Sequence, residues 1–319
     1  MGRILVTHRL PEGGTDPLNE AGHELVDGFG DAPCSATDIA ALAPEFDGIV
    51  CLLTDPIDAR VLRAGASGRL KVVGNVAVGY NNIDVATADD LGIRVCNTPG
   101  VLDETTADLA FLLVLAASRL ATEAGSDLRS GQWHGWGINQ YLGRDVHGAV
   151  LGLVGFGRIG KAMARRAEGF GMTVLHHSRR TTGAPGFVSD LDELMAASDV
   201  VSLHVPLTDD TRHLVGRPQL DLLGPDGVLV NTSRGPVVDE AALAESLSDG
   251  TIFAAGLDVY ENEPAIHPAL LSAPRTVLMP HIGSATRATR TRMARLACEG
   301  VRDVLAGGEP DNLVRATNS

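Results

Sequence analysis

Gly155-Phe156-Gly157-Arg158-Ile159-Gly160 stands between an apolar run, Val150-Leu151-Gly152-Leu153-Val154, and a segment of helical spacing through Ala162, Met163, Ala164, Ala167 and Phe170. That order of strand, turn and helix is one that cradles a pyrophosphate. The first glycine permits the tight turn, the second lets the ligand approach the backbone, and the third lets helix pack on strand, with the amides of the helix start facing the anion. A glycine-rich structural turn has the same bare pattern, but here Met172 to His177 follows as the next strand of a nucleotide-binding unit. At the end of that strand, where an NAD site places an acid on the adenosine ribose, the chain reads His176-His177-Ser178-Arg179-Arg180, with no carboxylate before Asp190. A hydroxyl and two guanidiniums suit a 2′-phosphate, because the planar Arg fork matches its oxygens. NADP(H) is expected ahead of NAD(H); the competing reading is a solvated basic turn.

Elements of alternating type must position this cradle. Arg3 to Thr7, Gly48 to Leu52, Lys71 to Gly74 and Ile93 to Cys96 read as short apolar strands separated by segments of helix length. A second set comprises the strand before the cradle, Thr173 to His177, Val200 to His204, Gly227 to Asn231, Ile252 to Leu257 and Thr276 to Met279. The expected class is α/β: two doubly wound parallel sheets, Rossmann-like and flavodoxin-like, with a cleft between two domains. Thr105 to Leu120 reads as a long helix joining the domains, and a helix from about Ser284 to Leu305 is expected to cross back before a short polar tail. The substrate domain would then be residues 1–98 plus 285–319, and the dinucleotide domain 99–284.

The 319 residues suffice for two domains with sizeable cores. A net charge of −14 argues against a nucleic-acid or anionic-membrane surface, while salt screening leaves the arginines at 158, 179, 180 and 234 free to bind anions locally. The longest apolar run, Leu109 to Ala117, is too short to span a bilayer, and no secretory signal or myristoylation motif opens the chain. Cys34, Cys51, Cys96 and Cys298 are widely spaced, without a Cys/His ligand pattern. They are expected to be buried free thiols in a reducing cytosol, with no metal site.

Several stretches together resemble the D-2-hydroxyacid dehydrogenases, in that family's order and over most of the chain. They are Gly79-Tyr80-Asn81-Asn82-Ile83-Asp84, Asn97-Thr98-Pro99-Gly100, Thr105-Thr106-Ala107-Asp108, the cradle, His204-Val205-Pro206-Leu207-Thr208, Asn231-Thr232-Ser233-Arg234-Gly235, Gly256-Leu257-Asp258-Val259 and Pro280-His281-Ile282-Gly283. Ser178-Arg179 and Trp133-His134-Gly135-Trp136-Gly137 look most like the glyoxylate/hydroxypyruvate reductase branch. Reducing a 2-oxo acid requires a held carboxylate, a polarised carbonyl, a hydride to carbon and a proton to oxygen. The resemblance assigns Arg234 as the clamp, His281 as the acid/base, and Glu263 as the partner favouring the charged imidazole. Glu261 competes for that last role; Glu263 lies 18 residues before the histidine and directly before Pro264, as in the family, which leaves Glu261 solvated. His8, His23, His134, His147, His204, His213 and His267 show no comparable partners.

The resemblance further implies that Leu53 and the amides of Val76, Ala77, Val78 and Gly79 receive the substrate. It implies that Asp258 accepts from the nicotinamide carboxamide, with Thr106, Val205, Pro206, Thr208, Thr211, Thr232, Ser233 and Gly283 around the cofactor. For Thr106 and Thr208 the alternative is helix or turn capping. Trp136 is either a core aromatic or a residue reaching a neighbouring subunit, and a homodimer is expected. Glu263 in place of a Gln sets the chain apart from formate-oxidising members, and Val78 in place of a Lys from phosphite-oxidising ones. The expected substrate is glyoxylate or hydroxypyruvate. The alternatives are another 2-hydroxy acid, such as D-lactate or 3-phosphoglycerate, or a nucleotide-sensing, corepressor-like binding protein.

Overall fold

The computed structural model describes residues 1–315, so the last four residues of the expected 285–319 segment lie outside the description. In chain order the elements are β1 (Arg3–Val6), α1 (Asp16–Glu20), β2 (Glu24–Asp27), α2 (Ala36–Leu42), β3 (Gly48–Cys51), α3 (Ala59–Ala66), β4 (Val72–Asn75), α4 (Val85–Asp90) and β5 (Arg94–Cys96). There follow α5 (Asp103–Ser118), α6 (Ala121–Ser130), β6 (Val150–Val154), α7 (Arg158–Glu168), β7 (Thr173–His177), α8 (Leu191–Ala196), β8 (Val200–Leu203), α9 (Arg217–Leu223) and β9 (Val228–Asn231). The chain closes with α10 (Glu240–Ser248), β10 (Ala254–Leu257), α11 (Pro268–Ser272), β11 (Thr276–Leu278), α12 (Arg287–Leu305) and β12 (Leu313–Val314). They group into two compact units, Met1–Leu102 with Ser284–Ser319, and Asp103–Gly283.

In the first unit the sheet order is β12-β5-β4-β3-β1-β2, parallel except for the antiparallel β12 beside β5. In the second it is β11-β10-β9-β8-β6-β7, parallel throughout. Both orders turn back beside the first strand of the unit, between β1 and β3 and between β6 and β8, and such switch points open a crevice at the carboxyl ends of the strands.

Strand periodicity builds the second unit's core on both faces of its sheet. Val201, Leu203, Leu229, Ala255 and Leu257 pack with α8 to α11 on one side, and Val200, Val228, Val230 and Ala254 with α5 and α7 on the other. Successive side chains of a strand point to opposite faces, so a strand covered on both sides reads as an unbroken apolar run. In the first unit Leu5, Ile49, Val73 and Val95 share one cluster with Ile39, Val61 and Leu62.

The structure departs from expectation where that run is missing. β2 is an edge strand with exposed Glu24 and Asp27, and the expected polar tail supplies β12. The helix expected over Thr105 to Leu120 is α5, which opens the second unit directly after Leu102 and whose Ala107, Ala110, Leu113 and Val114 are core residues of that unit. Helix α12 begins at Arg287, where the Thr286 side chain accepts from the Thr289 amide, and it packs on β3, β4 and β5. All four cysteines are free; Cys51, Cys96 and Cys298 are buried and Cys34 is partly exposed. Among the described residues no single helix is long and apolar enough to cross a membrane.

Candidate active site

Three loops at the carboxyl edge of the second sheet carry the candidate triad. After β9, Asn231 Oδ1 accepts from the Ser233 amide at 3.0 Å and its hydroxyl at 2.8 Å, and Asn231 Nδ2 donates to the Arg234 carbonyl at 2.9 Å. The Arg234 guanidinium donates to the Ser233 carbonyl at 2.7 Å. Burial lowers its pKa while Glu263 raises it; a guanidinium remains cationic regardless. A Cβ on Gly235 would lie 1.8 Å from the Tyr260 carbonyl carbon, so only glycine lets this loop lie against the one after β10.

In that second loop Glu263 Oε1 accepts from the Tyr260 amide at 3.0 Å, and Oε2 lies 2.8 Å from His281 Nδ1. Burial pushes the Glu263 carboxyl up, but the hydrogen bond and charge of His281, the Tyr260 amide and Arg234 outweigh it and hold the group below its ordinary value. His281 itself has φ +54°, a left-handed backbone that a non-glycine residue adopts only when its surroundings hold it. Asp258, 1% exposed, supplies that hold: Oδ1 accepts from the Ile282 amide at 2.7 Å and Oδ2 from the Gly283 amide at 2.8 Å. Burial raises the Asp258 pKa, opposed by those amides and by His281. Each Asp258 oxygen therefore already carries one backbone bond, which gives this residue a positioning task that the sequence did not reveal. The Tyr260 hydroxyl also donates to the Met279 carbonyl at 3.0 Å and ties β11 to the same loop.

Glu261 is not solvated as expected. Its carboxylate accepts from the Glu240 amide at 3.0 Å and lies 3.0 Å from His213 Nε2. His213 therefore has a carboxylate partner after all, and so does His8, 2.8 Å from Asp55. Desolvation lowers the His204 pKa to about 4, and its Nε2 lies 2.9 Å from the Ser202 hydroxyl.

The cradle lies at the switch point between β6 and β8. Gly155 has φ +98° and a Cβ there would strike the His204 carbonyl at 2.4 Å, next to Val205, while a Cβ on Gly160 would strike the Gly155 carbonyl at 2.2 Å. At Gly157 nothing lies within 4 Å, and no side chain caps α7. Two glycines thus close the turn and the third leaves open space beside uncapped helix amides, which fits a pyrophosphate. The buried Thr232 hydroxyl also lacks a partner among the described residues. Phe156 stacks on buried His176, with ring centroids 3.8 Å apart, and Arg158 pairs with Asp103 at 3.4 Å. Thr211 Oγ1 accepts from the Thr208 amide at 2.8 Å and donates to the Pro206 carbonyl at 2.7 Å, so Thr208 and Thr211 knit their own turn. A Cβ on Gly283 would meet Asp258 and Thr106, which places those three together. At the end of β7 the Ser178 hydroxyl donates to the Arg180 carbonyl at 2.7 Å, while Arg179 and Arg180 are exposed and, among the described residues, form no ion pair.

The first unit holds the remaining candidates at the ends of β3 and β4. Asn82 Nδ2 donates to the carbonyls of Leu52 at 3.1 Å and Asp55 at 3.0 Å, bracing the turn that carries Leu53. Asn75 and Asn97 donate to the carbonyls of Gly79 at 2.9 Å and Val78 at 2.8 Å. The Val76 amide donates to the Cys51 carbonyl at 2.8 Å, which takes it out of the expected set of substrate-facing amides.

Residues 111–283 match the family described as D-isomer specific 2-hydroxyacid dehydrogenase, NAD binding domain. The chain is 46% identical over 321 residues to a glyoxylate reductase of Korarchaeum cryptofilum (strain OPF8), covering 98% of this chain and 95% of that protein. The chain belongs to the D-2-hydroxyacid dehydrogenase family. A solved protein of Thermus thermophilus superposes with a TM-score of 0.92 at 42% identity, covering 98% of this chain and all of that one. An NADPH-dependent glyoxylate/hydroxypyruvate reductase of Sinorhizobium meliloti, solved with NADP and malonate, gives 0.85 at 36% identity over 98% of this chain and 96% of that one.

As an NAD(P)-dependent dehydrogenase of this family, the protein interconverts a 2-hydroxy acid and a 2-oxo acid. Sequence reading missed the bracing parts of Asn231, Tyr260 and Asp258; Asn231 opened one of the quoted motifs and Tyr260 directly followed another. Asp258→Asn tests the brace. Its amide offers one acceptor oxygen, so one of the two buried N–H groups loses its partner, at a cost of about 1–3 kcal/mol. We expect kcat to fall roughly tenfold or more and the melting temperature to drop, with the far-ultraviolet circular dichroism retained; unchanged turnover would refute the brace.

Proposed function

We propose that this dehydrogenase reduces a small 2-oxo acid, glyoxylate or hydroxypyruvate, to the 2-hydroxy acid, with NADPH preferred as reductant and with Arg234, Glu263 and His281 as catalytic residues. The 2.8 Å contact between Glu263 Oε2 and His281 Nδ1 carries the reading, since it leaves Nε2 as the nitrogen to meet a substrate oxygen. A bound nicotinamide supplies the hydride. Arg234 holds the substrate carboxylate and polarises the carbonyl; His281 gives its Nε2 proton to the carbonyl oxygen; Glu263 stabilises the imidazolium before transfer. Leu53 and the amides of Ala77, Val78 and Gly79 are the proposed substrate contacts of the first unit. The relatives named as glyoxylate reductases support the substrate class. Gly155, Gly157, Gly160 and Thr232 suit the cofactor, and Arg179 and Arg180 its 2′-phosphate.

His281→Ala should lower kcat by at least roughly 10²-fold, the lower end of a general acid's contribution. Glu263→Gln should shift the pH–rate profile of reduction to lower pH, because the ionised carboxylate paired with Nδ1 is then gone. A mutant profile that overlays the wild type removes Glu263 from the mechanism.

For the cofactor, two charge-assisted contacts worth about 1.5–3 kcal/mol each give NADPH an advantage of some 10²-fold or more. Ser178→Asp with Arg179→Ala should reverse it. Dissociation constants for NADPH and NADH from fluorescence titration decide the matter, and equal wild-type values would leave these arginines as surface charge.

A homodimer is the proposed assembly. Leu112, Leu128, Trp133, Trp136, Ile138 and Leu142 are exposed large apolar side chains of α5, α6 and the loop after it, and such surfaces mark association sites. Trp136, 80% exposed, is not the core aromatic that one reading allowed. Trp136→Ala with Ile138→Asp should shift sedimentation velocity from dimer towards monomer; a wild type that sediments as a monomer would end this reading.

A further inference from the structure

A second group of chemistry-bearing side chains converges in the first unit, at the turn-back of its strand order between β1 and β3. His8 follows β1, Asp55 follows β3, and Cys34 lies in the connection after β2. His8 Nε2 is 2.8 Å from Asp55 Oδ1, and Cys34 Sγ lies 3.7 Å from the former and 3.4 Å from the latter. Asp55 is 1% exposed. The corresponding crevice of the second unit holds the phosphate cradle, and ligands of open α/β sheets bind at such points.

Each group is aimed from behind. His8 Nδ1 lies 3.0 Å from the Gly30 carbonyl, which can only accept, so Nδ1 carries a proton and Nε2 turns towards the cluster. Asp55 Oδ2 accepts from the Thr7 hydroxyl at 2.6 Å and the Leu52 amide at 2.8 Å, leaving Oδ1 for the cluster. Nε2 of a neutral ring and a carboxylate oxygen are both acceptors, so their approach to 2.8 Å calls for a shared proton or a cation between them. Backing of metal ligands by a carbonyl and by amide or hydroxyl donors is the usual outer shell of a metal centre. A tetrahedral zinc ion, with bonds of about 2.0 Å to N and O and 2.3 Å to S, separates its ligand atoms by about 3.3–3.6 Å. The two sulfur distances are already close to this, and the N–O pair need open by only about 0.5 Å. One imidazole, one thiolate and one carboxylate favour a zinc-type ion over calcium or magnesium, which take oxygen ligands.

We propose that His8, Cys34 and Asp55 form a binding site for a zinc-type divalent cation, with the fourth position open to water. Bound there, the ion ties together the ends of β1 and β3 and the connection after β2, including the Leu52–Asp55 turn, and displaces the Cys34 proton into solvent.

The test uses the full-length protein, stripped with a chelator and then titrated with Zn²⁺ against a chromophoric chelator, and with Co²⁺ by absorption. We expect one equivalent bound and, for Co²⁺, a thiolate charge-transfer band in the near ultraviolet. Cys34→Ser, at a partly exposed position, should abolish that band and weaken Zn²⁺ binding at least about tenfold, the smaller end of what even an outer-shell change costs. His8→Gln should weaken it similarly, whereas His23→Gln should leave it unchanged; circular dichroism checks that each variant is folded. No stoichiometric Zn²⁺, a Co²⁺ complex without the charge-transfer band, or a Cys34→Ser variant that binds as the wild type would each overturn the proposal and leave a proton-bridged His8–Asp55 pair.

Discussion

A buried carboxylate accepting two consecutive backbone amides is the constraint on which the candidate site depends. Asp258, at the end of β10, fixes Ile282 and Gly283 and so holds His281 in its left-handed conformation. From there Nδ1 reaches Glu263, whose other oxygen is held by the Tyr260 amide, and Tyr260 returns a hydrogen bond to Met279 before the histidine. Asp258, Tyr260, Glu263 and Met279 thus close a ring of hydrogen bonds around one imidazole. Most of these bonds use backbone groups, so the geometry survives only while the loops after β10 and β11 stay in register.

Desolvation and charge pull against each other at Asp258, Glu263 and Arg234. Burial alone would favour a neutral Glu263 and weaken the proton affinity of Arg234; their mutual charge and His281 offset this for Glu263, whose carboxyl stays below its ordinary value. The result is an ionised carboxylate within hydrogen-bond distance of an imidazole. His204, with the Ser202 hydroxyl 2.9 Å from its Nε2, has its pKa lowered to about 4 by desolvation.

The repeated strand order gives both units the same place for chemistry. In the second unit the crevice between β6 and β8 receives the glycine cradle, whose close contacts leave room for nothing but backbone at Gly155 and Gly160. In the first, the crevice between β1 and β3 receives His8, Cys34 and Asp55. Loops at strand ends are where a sheet can present polar groups without disturbing its apolar layers, and both sites use that freedom.

Linear sequence determined what depends on local pattern. Strands buried on both faces show as apolar runs such as Val150 to Val154, the cradle shows as glycines at fixed offsets, and the segments resembling the family show in their order. The spacing of Glu263 and His281 singled out the carboxylate only with that resemblance in hand. Tertiary structure alone decided the rest, because it rests on contacts between residues far apart in the chain. Edge strands β2 and β12 have no apolar run to betray them; α5 is a core helix because β9 and β10 lie under it. Glu261 left solvent when His213 and the Glu240 amide came to meet it. The bonds of Asp258 to the turn after His281 span 24 and 25 residues, and the cluster of His8, Cys34 and Asp55 joins positions 21, 26 and 47 apart. Such separations follow no periodicity of helix or strand, so only the closing of the sheets brings these groups together.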